Sequence, residues 1–85
     1  MNIKEMETIL QKAEGIDICG LMELLYEQFR EISNYLTDLH EATTALGGPG
    51  GTLSEVRKAL YTISDHTLLA ATILNTYQEE HPEEK

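Results

Sequence analysis

Apolar side chains recur every seven residues on both sides of one glycine–proline break, and a helical hairpin is the simplest fold that accommodates the pattern. Ile18, Leu25, Ile32, Leu39 and Leu46 are spaced by seven without exception, and Met22, Phe29, Leu36 and Thr43 fall four residues after the first four of them. Past Gly47-Gly48-Pro49-Gly50-Gly51, a second series holds Leu53, Leu60, Thr67 and Leu74, with Val56, Ile63, Ala70 and Tyr77 three residues after each. Paired positions at this spacing make one stripe along an α-helix, the seam of a coiled coil. The break cannot continue a helix, because glycine loses the most backbone entropy on ordering and proline has no amide to donate. Two stripes of ~43 and ~37 Å joined by so short a loop must run antiparallel. With Leu46 opposite Leu53, Leu39 meets Leu60, Ile32 meets Thr67 and Leu25 meets Leu74. The two seams are therefore expected to face each other, with Leu39 and Leu60 in the hairpin core.

Local signals set the rest of the element plan. Ile3, Met6, Ile9, Leu10 and Ala13 have helical spacing, which predicts a first helix over 2–14 with Asn2 capping the Glu5 amide. Gly15 suits the left-handed position just beyond that helix. The second helix is predicted over 17–46 with Asp17 as its N-cap. The third is predicted over 52–79, opened by the capping-box sequence Thr52-Leu53-Ser54-Glu55. Residues 80–85 read as a frayed acidic tail. No stretch alternates as a strand does. The expected fold is all-α: an antiparallel helical hairpin with a short N-terminal helix, one domain over 1–85.

Eighty-five residues bury only ~60–65% of the surface of the unfolded chain, so the core must be dense or shared with a partner. The chain carries more apolar surface than one hairpin hides. Leu21, Leu24, Tyr26 and Tyr35 lie outside the seam of the second helix, and Leu68-Leu69-Ala70-Ala71 with Ile73-Leu74 surrounds the third. Leu69 and Ile73 form a second stripe there, beside small residues that let another helix approach. Leu68, Leu69, Ala71 and Ile73 are accordingly the expected oligomer interface, joining two chains into a homodimeric bundle. The competing arrangement folds the first helix over that stripe and closes a three-helix monomer.

Six basic against fifteen acidic residues give a net charge of −9, which argues against autonomous binding to nucleic acid or to an anionic membrane. A single cysteine excludes an internal disulfide framework and a four-cysteine zinc site. No apolar run reaches the ~18–20 residues of a membrane helix, and no signal-peptide core opens the chain, so a cytoplasmic location is expected.

Residues capable of chemistry are few. His40, His66 and His81 show no metal-ligand spacing. Cys19 lies near a helix start without an activating base and is expected to be buried. The glycine loop follows a helix and lacks the Lys-Ser/Thr ending of a phosphate loop. No catalytic residue, metal or cofactor is therefore expected. The acidic residues are more suggestive: Glu23, Glu27, Glu31, Asp38 and Glu41 fall close to one side of the second helix, interrupted only by Arg30. Such a side is either a solubilising face or a docking face for a basic protein. The leading expectation is a non-enzymatic protein-interaction module, a regulator or accessory protein of the kind bacteria and phages carry. One alternative is an acidic inhibitor that imitates nucleic acid and occludes a basic groove. Another is a small metal-binding bundle or enzyme.

Overall fold

Each helix begins where a side-chain oxygen takes up a free amide. In the computed structural model, which describes residues 2–84 (the side chain of Glu84 excepted), Asn2 Oδ1 accepts from the Glu5 amide at 2.8 Å and opens α1, Ile3–Ala13. Asp17 Oδ1 accepts from the Gly20 amide at 2.8 Å and opens α2, Ile18–Ala45. Thr52 Oγ1 accepts from the Glu55 amide at 3.3 Å and opens α3, Leu53–Glu80. Each cap satisfies one of the four amides that a helix start leaves without an intrahelical partner. Gly15 carries the one positive φ among the described residues, +70°, and turns the chain from α1 into α2. Its amide donates to the Glu80 carboxylate at 2.9 Å, tying that turn to the far end of α3.

Among the described residues all regular structure is helical, with no strand. At the glycine break α2 tightens into i→i+3 bonds from Leu46, Gly47 and Gly48 to the Thr43, Thr44 and Ala45 carbonyls. The chain then returns, so that α2 and α3 form an antiparallel hairpin. Of the predicted acidic tail, Glu80 ends α3 and Pro82–Glu84 form a 3-10 turn, while Lys85 lies outside the described residues.

The faces that α2 and α3 turn toward each other differ from the expected seams. Leu21, Leu24 and Gln28 are buried on α2, and Ala59, His66, Leu69, Ala70, Ile73 and Tyr77 on α3. Seven of these nine positions precede a predicted seam residue by one, among them Leu21 before Met22, Gln28 before Phe29, Ala59 before Leu60, His66 before Thr67 and Ile73 before Leu74. Ala70 and Tyr77 are themselves predicted seam residues that do face inward, and the seam residue Leu25 packs against the core. One residue is ~100° of helix rotation. Over most of their length both helices are thus turned about their axes by up to that amount relative to the expected pairing, and the C-terminal part of α3, where Ala70 and Tyr77 stay buried, is turned less. Leu60 is 50% exposed and Leu39 only half-buried, so neither forms the hairpin core. The large side chains that do pack, Leu21, Leu24, Leu69, Ile73 and Tyr77, lie toward the end of the hairpin where α1 docks. Near the loop the residues on the facing sides are small, Ala42, Ala45, Ala59 and Thr62, and they leave an open groove there rather than a filled seam.

That rotation also gives α1 a place to dock. Ala13 is buried with Leu21, Leu24, Leu69, Ile73 and Tyr77, and Ile9, Leu10 and Ile16 pack against this cluster. Leu69 and Ile73, expected at an oligomer interface, are 0% exposed and sit in the chain's own core beneath α1. The same stripe cannot serve both purposes, and within the chain the short helix takes it.

Candidate functional site

Turning the helices leaves their heptad stripes uncovered. Antiparallel helices that rotate in the same sense about their own chain directions carry their stripes to the same side of the hairpin. One side of the molecule consequently presents Ile18, Met22, Phe29 and Leu36 from α2, each about half exposed, and Leu53, Leu60 and Leu74 from α3, 40–70% exposed. Leu25, Ile32, Leu39, Val56 and Ile63 sit half-buried between them. Two threonines, Thr43 and Thr67, interrupt the stripe, and Thr67 satisfies its hydroxyl within the helix by donating to the Ile63 carbonyl at 2.8 Å. Tyr26, Tyr61 and Leu68 extend the apolar surface at its margins, each 58–65% exposed. Monomeric proteins rarely leave so long a contiguous apolar surface in water.

The predicted interface residues thus separate. Leu68 and Ala71 are exposed beside this stripe, whereas Leu69 and Ile73 point into the core. The seven-residue pattern was the signal that located the exposed face in the sequence, although it was read there as the inside of the hairpin.

The acidic residues lie on the opposite side of α2, well over 100° round from the stripe. Glu23, Glu27, Asp38 and Glu41 are exposed and Glu31 is half-buried. They divide into groups. Glu27 and Glu31 flank Ile9, Arg30, Gln28 and His66, so α1 and the hairpin both border them. Asp38 and Glu41 join Glu55 and Lys58 on the rim of an open groove of about 630 Å³ between α2 and α3, floored by Tyr35, Ala42, Ala45, Ala59 and Thr62.

The histidines do not converge. His66 is buried, its Nδ1–H donating to Gln28 Oε1 at 2.7 Å and its ring stacked against Tyr35 at 5.8 Å between centroids. His81 stacks on Tyr77 at 4.2 Å, and His40 stands exposed on α2. Cys19 is exposed rather than buried, one residue beyond the uncovered stripe position Ile18. Among the described residues no three His, Cys, Asp or Glu side chains come together as metal ligands, and no helix is long and apolar enough to cross a membrane. Compared with known protein families, with curated proteins and with solved structures, the chain matches none.

Proposed function

We propose that the protein is a non-enzymatic interaction module that works by adding its hairpin to a larger helical assembly through the uncovered heptad stripe. One observation supports this reading above the rest: the most regular apolar pattern in the chain is the one its own fold leaves in water. A coiled-coil seam is matched by knobs and holes on another helical surface, and burying each large side chain there stabilises by ~1.5–3 kcal/mol in full, or about half that for a half-exposed one. Either a second copy or another helical protein meets that requirement. Site-specific photo-crosslinking in living cells tests it. A photoreactive residue at Leu36 or Leu60 is expected to yield protein adducts, and one at Glu23 or Glu41 is not. Adducts from the acidic positions alone would replace this reading with the next.

A second reading has its own support in the groove rimmed by Asp38, Glu41 and Glu55. Carboxylates above an alanine floor suit a basic amphipathic helix, and an acidic protein of this size is also suited to occlude a basic nucleic-acid-binding surface. Asp38→Lys and Glu41→Lys together, both at exposed positions on the groove, are expected to leave the fold intact and, under this reading, to abolish binding that is also lost at raised salt.

A further inference from the structure

Resting on the reading of the stripe as a docking face, we propose that its occupant is a second copy of this chain, in a two-fold symmetric four-helix bundle whose core is built from α2 and α3 of both copies. Surface area is the first support. The chain exposes 6110 Å², whereas a compact monomer of 9.6 kDa exposes ~5,100 Å². The excess of about 1,000 Å² is close to the ~800 Å² that each partner contributes to a stable specific interface. Its shape agrees: the Cα radius of gyration is 15.8 Å, with extents of 53 × 22 × 16 Å, against ~12 Å for a compact domain of this length. The molecule is a slab, and a second slab laid on its apolar side would restore an ordinary ratio of surface to mass.

Charge is the second support. A chain of net charge −9 pairs with itself only if its carboxylates stay apart, and the stripe positions from Ile18 to Leu74 include none. Glu23, Glu27, Glu31, Asp38 and Glu41 are all turned away on the far side of α2. A basic partner would find no counter-charge on this face, and an anionic lipid surface would be repelled by the whole chain. The face presents two antiparallel apolar ridges ~40 Å long, and a second copy of this chain offers a matching pair. A surface that matches its own copy closes as an isologous dimer.

Sedimentation equilibrium of the full chain tests the proposal. The expected mass is twice 9.6 kDa, unchanged at raised salt because the contact is apolar. Leu36→Gln and Leu60→Gln are each expected to raise the dissociation constant at least ~10-fold with helical circular dichroism retained, since each alters two side chains per dimer. Glu27→Lys is expected to leave the mass as it is. A single species of 9.6 kDa up to ~100 μM overturns the second copy as occupant. Crosslinks from Leu36 to a different protein would in that case leave the docking face standing, and their absence would remove both. A dimer that survives both glutamine substitutions places the contact elsewhere and also overturns the assignment.

Discussion

A buried imidazole is tolerated only when its N–H has a partner, and Gln28 supplies one to His66 between α2 and α3. Truncating Gln28→Ala should cost about 1–3 kcal/mol, because it strands that donor in the interior. Replacing both partners by apolar groups of similar shape, Gln28→Leu with His66→Phe, should recover most of the loss, and urea denaturation of the three variants measures the difference. The pair was not legible in the sequence, where Gln28 lies one residue before Phe29 of a regular seam and reads as outward-facing. His66, which showed only the absence of metal-ligand spacing in the sequence, lies between Gln28 and Tyr35. At the glycine break the requirement falls on Gly51 alone. A Cβ there would run into the Ala45 carbonyl, whereas one on Gly50 meets nothing within 4 Å. Gly51→Ala should therefore destabilise by about 1–3 kcal/mol and Gly50→Ala by little, read as a shift in denaturation midpoint.

The helices differ in which of their faces each contact uses. On α3 the residues that hold the fold are Leu69 and Ile73, with α1 on one side and α2 on the other. Leu69→Ala or Ile73→Ala should each cost about 2–5 kcal/mol, while Leu60→Ala should cost under about 1.5 kcal/mol in dilute solution, where its stripe faces water. Equal losses at Leu60 and Leu69 in dilute urea titrations would contradict the rotation of the hairpin. Helix α1 is only 11 residues long and has no stability of its own in water, so its order depends on Ala13, Ile9 and Leu10 reaching that core. Hydrogen exchange should show α1 opening before α2 or α3, and sooner still when Ile9→Ala weakens its hold. Helix bounds and caps were legible because they depend on neighbours within a few residues: Asn2, Asp17 and Thr52 each act on an amide three positions away.

At the scale of the molecule, the proposed pairing with a second copy would stabilise the chain by mass action. Its thermal midpoint should rise with protein concentration, whereas the Leu60→Gln chain should melt at one temperature across the same range. Scanning calorimetry at several concentrations distinguishes the two. The hairpin, its antiparallel sense and its approximate register followed from the sequence alone, because loop length and capping act locally and an apolar period of seven admits little else than a helical stripe. The rotation of each helix did not. A periodic stripe shows that some surface must cover it and carries no information about which one. In this chain the choice depended on contacts distant in sequence: a polar pair, Gln28 and His66, that satisfies itself across α2 and α3, and a short α1 able to cover Leu69 and Ile73. Those contacts set the helices up to ~100° from the facing arrangement, and it is this rotation that puts the most regular apolar surface of the chain on the outside.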